Sequence, residues 1–158
     1  MNEKIALIGA GAMGGAIGTR LLETGNSLTV FDLDLVKVAQ LAKLGATAAT
    51  SAAQASSDVD FVITSLNASH IVEIAAFGKD GIIEGARTGT LIIDMSSIAP
   101  DATRKFAQMA KENGMAWVDS PLSGGAPKAL IGELTLMAGG EENDVARAHQ
   151  VLQHVASN

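Results

Sequence analysis

The 158-residue sequence predicts an α/β fold, in which a doubly wound, mostly parallel β-sheet carries helices on both of its faces. Two observations lead to this prediction. Short apolar runs typical of buried strands alternate along the chain with longer segments typical of helices. The first apolar run, residues 4–8, also passes directly into a glycine-rich turn, as in the opening βα unit of such sheets. The length predicts one domain, residues 1–158, large enough to bury a core.

The elements follow one another in order between glycine and proline signals. Glycines close the first two predicted helices, at Gly25 and Gly45, and Pro100 suits the first turn of a later helix. Residues 51–57 form a polar Ser/Ala stretch, and residues 120–132 are predicted to be an irregular loop. The predicted strands are residues 4–8, 28–32, 60–65, 90–94, 115–119 and 133–138, with a short segment at 46–49. The predicted helices are residues 12–23, 34–44, 68–77, 100–112 and 141–155.

The turn after the first strand has the sequence Gly-Ala-Gly-Ala-Met-Gly. Gly9 allows a tight turn, Gly11 lets a pyrophosphate approach the backbone, and Gly14 lets the helix pack closely. The unpaired N–H groups and the positive end of the helix dipole point toward the phosphates. The spacing therefore predicts a Rossmann-type dinucleotide site. Its predicted residues are Gly9, Ala10, Gly11, Ala12, Met13 and Gly14.

An acidic residue, Asp32, ends the second apolar run, 21 residues after Gly11. An acid at an offset of about 20 residues accepts hydrogen bonds from the adenine ribose in such sites. A carboxylate there repels the 2′-phosphate of NADP, and Asp34 adds a second negative charge, so NAD is favoured over NADP. Lys37 is the one nearby cation that would suit NADP, but its position on the following helix favours a solvated helix residue. A flavin site remains an alternative.

Ligands of open α/β sheets collect beyond the carboxyl ends of the strands. Leu66 and Asn67 follow the strand at 60–65 and are expected to line the cofactor groove, although Asn67 also suits capping of the next helix. Ser97 follows the strand at 90–94, and its hydroxyl suits either the nicotinamide end of a cofactor or a helix cap.

A second glycine-rich segment lies in the loop after the strand at 115–119. There Ser123, Gly124 and Gly125 place successive backbone N–H groups beside a hydroxyl, which is a nest suited to a carboxylate. Hydrogen bonds to a charged acceptor contribute about 1.5 to 3 kcal/mol each, so a few such donors would orient a small anion. The alternative is a glycine-rich surface turn.

Composition excludes several other functions. A net charge of −6 and a pI near 4.9 argue against nucleic acid or an anionic membrane as a partner. The absence of cysteine excludes disulfides, thiolate catalysis and cysteine metal sites, and it fits a cytoplasmic protein. His149 and His154 are five residues apart, which does not suit a metal pair on one helix face. The apolar run after Lys4 is too short and too rich in glycine to span a bilayer.

Together these motifs resemble the N-terminal cofactor domain of the β-hydroxyacid dehydrogenase family, of the 3-hydroxyisobutyrate dehydrogenase and tartronate semialdehyde reductase type. The resemblance spans essentially all 158 residues. It depends on the turn at 9–14 with Met before its last glycine, on the Asp-Met-Ser-Ser-Ile-Ala-Pro segment at 94–100, and on the serine-glycine-glycine loop. The segment at 132–140 resembles the branch that acts on small acids.

The resemblance implies that NAD exchanges hydride with a small 3-hydroxy acid or semialdehyde. It places Ser123, Gly124 and Gly125 at the substrate carboxylate and Ser97 near the nicotinamide ribose. In the family, the lysine that transfers the hydroxyl proton belongs to an all-helical domain, which here would lie beyond Asn158. We therefore expect no catalytic residue within residues 1–158 and no turnover by these residues alone. No metal site is expected either. Lys128 does not match that lysine. The full-length protein is expected to be a homo-oligomer, and a stand-alone NAD-binding or sensing module is the alternative.

Overall fold

The computed structural model describes residues 2–158 and confirms the α/β prediction. Six parallel strands form one sheet in the order β3-β2-β1-β4-β5-β6, and a separate antiparallel pair, β7 and β8, lies outside it. The sheet strands are β1 Lys4–Ile8, β2 Ser27–Phe31, β3 Thr47–Ala48, β4 Phe61–Thr64, β5 Leu91–Asp94 and β6 Ala116–Asp119. The small pair consists of β7 Leu122–Ser123 and β8 Thr135–Leu136.

Eight helices occur in residues 2–158 and cover both faces of the sheet. They are α1 Ala12–Glu23, α2 Leu35–Ala42, α3 Ala52–Ser56, α4 Ser69–Phe77, α5 Ile82–Gly85, α6 Pro100–Glu112, α7 Gly125–Leu130 and α8 Glu142–Leu152. Helices α1, α2, α7 and α8 contribute to one apolar cluster, and α3 to α6 contribute to the other. No helix of this described part is both long and apolar enough to cross a bilayer.

The sheet is apolar on both sides because helices bury both of its faces. In β1, Ile5 and Leu7 pack into the first cluster, whereas Ala6 and Ile8 pack into the second. This alternation explains why the strands are nearly continuous apolar runs in the sequence.

The strand order reverses at β1, which pairs with β2 on one side and with β4 on the other. In doubly wound sheets, the crevice at such a reversal is where ligands bind, outside the carboxyl ends of the strands. The turn that follows β1 therefore lies at the centre of the predicted site.

The structure corrects the sequence prediction in two regions. The Ser/Ala stretch at 51–57 contains α3, whose first turn is capped by the Ser51 hydroxyl, which accepts a hydrogen bond from the Gln54 amide at 3.0 Å. The short helix α5 was not predicted. The segment 120–132 is not an irregular loop, since it contains β7 and α7. α7 has a weak sequence signal and buries Ala129 in the cluster that includes α1.

Several predicted boundaries also differ from the structure. The strand predicted at 133–138 is reduced to the two residues of β8, and the last helix ends at Leu152 rather than at residue 155. The helix predicted at 34–44 begins one residue later, because Asp34 is its N-cap and accepts a hydrogen bond from the Val36 amide at 3.0 Å. The bounds predicted for α1 and α6 are confirmed.

Candidate functional site

The turn between β1 and α1 requires glycine where it passes the end of β4. Gly9 has a φ of +99°, and a Cβ there would overlap the carbonyl oxygen of Ser65. A Cβ on Gly14 would overlap the carbonyl oxygen of Gly9 itself. The turn is therefore held tightly between α1 and the end of the neighbouring strand, and this packing fixes the direction of its amides.

Four successive backbone amides at the start of α1, those of residues 11–14, donate to no acceptor in residues 2–158. They are the amides that the first turn of any helix leaves without a partner. The position at Gly11 is also open, because a Cβ built there would meet no atom within 4 Å. Unpaired amides, an open backbone and the positive end of a twelve-residue helix together suit a pyrophosphate.

The carboxylate of Asp32 is fixed by two backbone amides beside this turn. Its Oδ2 accepts a hydrogen bond from the Ala10 amide at 2.7 Å, and its Oδ1 accepts one from the Asp34 amide at 2.8 Å. Because each carboxylate oxygen can accept two hydrogen bonds, acceptor sites remain for the hydroxyls of a ribose. Because the Ala10 amide already donates to Asp32, it is not available to bind a phosphate. A role for Ala10 at the cofactor stays a prediction.

A cleft of about 520 Å³ extends from the turn over the ends of β2 and β4. Exposed apolar side chains border the cleft on two sides. Leu33 lies in the loop after β2, and Ile71 and Ile74 belong to α4. Leu33 is 90% exposed and Ile74 is 63% exposed, which is unusual for side chains of this size. The remaining lining residues are Ile8, Gly9, Gly11, Phe31, Asp32, Lys37, Thr50, Ser51, Ala52, Ser65, Leu66, Asn67, Ala75, Lys79, Asp80 and Gly81.

These apolar borders were not predicted, although the sequence contains a signal for them. α4 buries Val72 and Ala76, so Ile71 and Ile74 are apolar residues on a face that does not belong to the core. Leu33 stands between two aspartates in a loop, where no packing partner is expected. Lys79 also lines the cleft, so Lys37 is not the one nearby cation that the sequence suggested.

The helix-capping alternatives for Asn67 and Ser97 are wrong. Asn67 lines the cleft beside Leu66, and α4 has Ala68 at its N-cap without a side-chain hydrogen bond. Ser97 is exposed between β5 and α6, whose N-cap is Ala99, again without a side-chain hydrogen bond. Both side chains are therefore free of that structural role.

A buried polar cluster, which the sequence did not predict, joins the ends of β4 and β5. The carboxylate of Asp94 accepts hydrogen bonds from the Thr64 hydroxyl at 2.7 Å and from the Ser96 amide at 3.1 Å. The Ser96 hydroxyl in turn accepts a hydrogen bond from the Leu66 amide at 2.8 Å. Asp94 is the register partner of Asp119 on the next strand.

Burial governs the electrostatics of this carboxyl pair. Burial raises the pKa of Asp94 above its ordinary value of 3.8, although hydrogen bonds from Thr64 and Ser96 act in the opposite direction. Burial, and then the charge of Asp94, raise the pKa of Asp119 as well. The Oδ2 atom of Asp94 is buried without a hydrogen-bond partner in residues 2–158. Asp94 is therefore a buried acid, close to the cleft, in which one carboxyl oxygen has no hydrogen-bond partner within residues 2–158.

The second glycine-rich segment begins beside β5, where the Ser120 amide donates to the Asp94 carbonyl oxygen at 2.8 Å. Ser123 is exposed at the end of β7, and the amides of Gly124, Gly125 and Ala126 donate to no acceptor in the described chain. These three unpaired amides agree with an anion-binding nest.

The structure brings this segment next to the first glycine-rich turn. α7 packs against α1, and a groove of about 350 Å³ is lined by Gly11 and Ala12 from the turn and by Ala126 from α7. Lys128, in the same segment, is exposed and lies 3.1 Å from a carboxylate oxygen of Glu133. The residues that the sequence assigned to two motifs thus occupy neighbouring positions.

Comparisons with known proteins agree with this geometry. Residues 4–158 match the family model described as the NAD binding domain of 6-phosphogluconate dehydrogenase. The chain is 40% identical over 156 residues to an NAD-dependent L-serine dehydrogenase of Pseudomonas aeruginosa, a match that covers 99% of this chain and 52% of that protein. It is 39% identical over 153 residues to a 3-sulfolactaldehyde reductase of Escherichia coli, with 97% of this chain and 51% of that protein covered.

A solved structure of Mycobacterium tuberculosis 3-hydroxyisobutyrate dehydrogenase with L-serine superimposes with a TM-score of 0.94 at 32% identity. The superposition covers 100% of this chain and 53% of that one. The chain thus spans about half the length of the proteins it matches.

Proposed function

The chain belongs to the family of NAD-binding domains described for 6-phosphogluconate dehydrogenase, and from this premise we propose that it is the cofactor-binding part of an oxidoreductase acting on small 3-hydroxy acids or the matching semialdehydes. The observation that carries the proposal is the row of unpaired amides at residues 11–14, beside the anchored carboxylate of Asp32. Such a row in a doubly wound sheet suits the pyrophosphate of a dinucleotide.

The residues of the crevice suit the adenosine half of NAD in two further ways. Asp32 retains acceptor sites for the ribose hydroxyls, since its two hydrogen bonds use half of its capacity. Leu33, Ile71 and Ile74 offer exposed apolar surface on which the flat adenine ring would be buried. Burial of apolar surface contributes about 25 cal/mol per Å², so these side chains add affinity without adding a charge.

The charges at the end of β2 support NAD rather than NADP. A 2′-phosphate would lie close to the Asp32 and Asp34 carboxylates and would be repelled by both. Lys37 and Lys79 border the cleft, but neither makes an ion pair with these two acids. We therefore attribute the preference for NAD over NADP to repulsion of the 2′-phosphate by the two carboxylates, and not to a lack of lysines near the cleft.

The nest at Ser123, Gly124 and Gly125 is proposed to hold the anionic group of the substrate. L-serine and 3-hydroxyisobutyrate, from the names of similar proteins, each join a carboxylate to a primary alcohol. 3-Sulfolactaldehyde joins a sulfonate to an aldehyde. Each therefore pairs an anion with a carbon at the alcohol or aldehyde level, which is the substrate class we assign to this loop.

Bound NAD supplies the nicotinamide carbon that accepts or returns hydride. The residues of this chain orient the two reactants: residues 11–14 and Asp32 hold the dinucleotide, Leu66, Asn67 and Ser97 lie toward the nicotinamide half, and the loop holds the anion. No proton-transferring residue is assigned within residues 1–158, because Lys128 does not match the family's lysine; its Nζ lies 3.1 Å from a carboxylate oxygen of Glu133 on the surface. Turnover is accordingly assigned to the full-length protein, proposed to be a homo-oligomer.

A substrate panel measured on the full-length protein tests the proposal. NAD is offered together with L-serine, 3-hydroxyisobutyrate and other small anionic primary alcohols, and NADH formation is followed by absorbance. We expect reduction of NAD with at least one of them, and none with the corresponding uncharged alcohols. NAD binding without any turnover would instead support a stand-alone NAD-binding or sensing module.

A further inference from the structure

The buried side chains of Thr64, Asp94 and Ser96, which with the Leu66 amide form the polar cluster, have no part in the dinucleotide contacts assigned above. They nevertheless join two of the loops that carry those contacts. The cluster links the end of β4 to the end of β5 through three hydrogen bonds of 2.7, 3.1 and 2.8 Å. Thr64, Asp94 and Ser96 are at most 3% exposed. The cluster is therefore a built feature of the interior rather than a set of surface contacts.

The cluster carries an energetic cost that an apolar core would avoid. Burying a carboxyl group is unfavourable unless its oxygens are compensated, and here Oδ2 of Asp94 has no partner in residues 2–158. An apolar side chain would fill the same volume without this penalty. The acid instead orients two donors, because its Oδ1 accepts hydrogen bonds from the Thr64 hydroxyl at the end of β4 and from the Ser96 amide in the loop after β5.

The position of the cluster relates it to one half of the cofactor. The pyrophosphate site lies at the turn after β1, and Asp32 places the adenosine ribose on the β2 side of that turn. A dinucleotide that crosses the turn therefore extends its other half over β4 and β5. Those are the strands whose carboxyl ends the cluster joins.

The cluster also reaches the glycine-rich turn. The Ser96 hydroxyl holds the Leu66 amide, and the side chain of Leu66 lies so close to Gly9 that a Cβ on Gly9 would stand 2.9 Å from its Cδ2. Loss of the Ser96 hydroxyl would therefore release the Leu66 amide beside the turn. Leu66 and Asn67 line the cleft where β4 ends, so Thr64, Asp94 and Ser96 govern the placement of these two residues without lining the cleft themselves.

We propose that Asp94 is a positioning residue, which through Thr64 and Ser96 fixes the loops at 65–67 and 95–98 for the nicotinamide half of the dinucleotide. This inference rests on the proposed function. The role is geometric: Asp94 serves as an acceptor for two donors, and its negative charge is not required. An asparagine, which keeps one carbonyl oxygen in the same place, should therefore substitute for it.

The test compares the binding of two ligands, NAD and ADP, by calorimetry. ADP contains the adenosine and the pyrophosphate and lacks the nicotinamide half. We expect Asp94→Ala and Ser96→Ala to weaken NAD binding about fivefold or more, with ADP binding unchanged within about twofold. Asp94→Asn should bind both ligands like the wild type, because its carbonyl oxygen still accepts from Thr64 and Ser96. The selective loss of NAD in the alanine variants, with ADP binding retained, is the result that a general packing defect would not give.

Two further variants keep the test valid if Asp94→Ala fails to fold. Thr64→Val preserves the side-chain shape, removes one donor to Asp94, and should selectively weaken NAD. Ser56→Ala is the matched control, because Ser56 is fully buried on α3, its hydroxyl has no partner in the described chain, and it is outside the cluster. It should leave both affinities unchanged.

The outcomes separate this inference from the proposed function. Equal loss of NAD and ADP affinity in the cluster variants, or unchanged NAD affinity, would overturn the positioning role while leaving the dinucleotide site intact. Failure of Asp94→Asn to bind NAD as the wild type does would overturn the claim that charge is not required. A wild-type protein that binds neither NAD nor ADP would overturn the proposed function and this inference together.

Discussion

The chain presents unpaired backbone amides in two glycine-rich segments, and the two are built very differently. The turn at residues 9–14 connects a strand whose last four residues are buried to a twelve-residue helix, and a carboxylate held by two amides lies beside it. The segment at 123–125 connects a two-residue strand to a six-residue helix and is exposed. The first segment combines unpaired amides with an anchored carboxylate within residues 2–158, whereas the second presents the unpaired amides of one exposed loop.

The difference shows that glycine serves two physical purposes in this molecule. In the first turn, Gly9 and Gly14 are needed because neighbouring backbone leaves no room for a Cβ. In the second, Gly124 and Gly125 adopt positive φ angles of +127° and +74°, and at Gly125 the nearest atom to an added Cβ is Pro127 Cδ at 3.7 Å. Close packing against neighbouring backbone requires glycine at both positions of the first turn, whereas at Gly125 the backbone conformation alone requires it.

The largest expected effect is on the free energy of unfolding, when a glycine in each segment is replaced by alanine. Gly14→Ala forces a Cβ against the Gly9 carbonyl oxygen, so we expect a loss of about 3 kcal/mol in the free energy of unfolding and no measurable NAD binding. Gly125→Ala meets only the cost of a positive φ, about 1 to 2 kcal/mol. Urea denaturation of both variants measures the contrast, and equal losses would show that packing does not distinguish the two segments.

Asp32→Ala tests whether the carboxylate completes the first site. Loss of charge-assisted hydrogen bonds worth about 1.5 to 3 kcal/mol should weaken NAD binding about 10- to 100-fold and relax the discrimination against NADP. Calorimetry with both dinucleotides gives the two affinities. Glu112→Ala, at the far end of α6, removes an exposed acid as the control. Unchanged discrimination would remove Asp32 from the cofactor site.

Ser123→Ala tests the second segment in the full-length protein. Removal of the hydroxyl beside the nest should raise the KM for a small hydroxy acid about tenfold, because one hydrogen bond to the substrate anion is lost. The affinity for NAD should stay the same, since the first segment is untouched. Steady-state kinetics and calorimetry together give this comparison. An unaltered KM would reduce the segment to a structural turn.

Ile74→Ser tests the apolar border of the cleft with a smaller effect. This side chain is 63% exposed in the absence of ligand, so the substitution should leave the unfolding free energy within about 0.5 kcal/mol of the wild type. Loss of apolar contact should weaken NAD binding about threefold. A matched loss for AMP would place the contact at the adenine ring, and wild-type affinity for both ligands would exclude Ile74 from the site.

The pH dependence of stability tests the buried acid at β5. Because burial raises the pKa of Asp94 in the folded state, its contribution to stability is fully present below the ordinary value of 3.8 and is lost as the pH rises through the raised pKa. Asp94→Asn should therefore gain stability relative to the wild type as the pH rises from 4 to 7. Thermal unfolding at both pH values measures the difference, and a constant difference would show that Asp94 does not titrate as described.

The fold and the first segment could be predicted from the sequence because local patterns encode them. The alternation of apolar runs gave the five longer strands of the sheet, and the glycine spacing marked the turn where the strand order reverses. α7 could not be predicted, because tertiary burial of Ala129 rather than helix propensity stabilises it. The Asp94 cluster was missed for a related reason: its members lie about 30 residues apart, and only the strand register brings them together.

The central claim is that the amides of residues 11–14 are free to bind a diphosphate beside Asp32. Two-dimensional ¹⁵N NMR of the chain during titration with NAD measures these amides directly. The account predicts that the Gly11, Ala12, Met13 and Gly14 resonances shift progressively and saturate together, with the Ala10 amide still bonded to Asp32. Saturation with NAD that leaves these four resonances unmoved would contradict it.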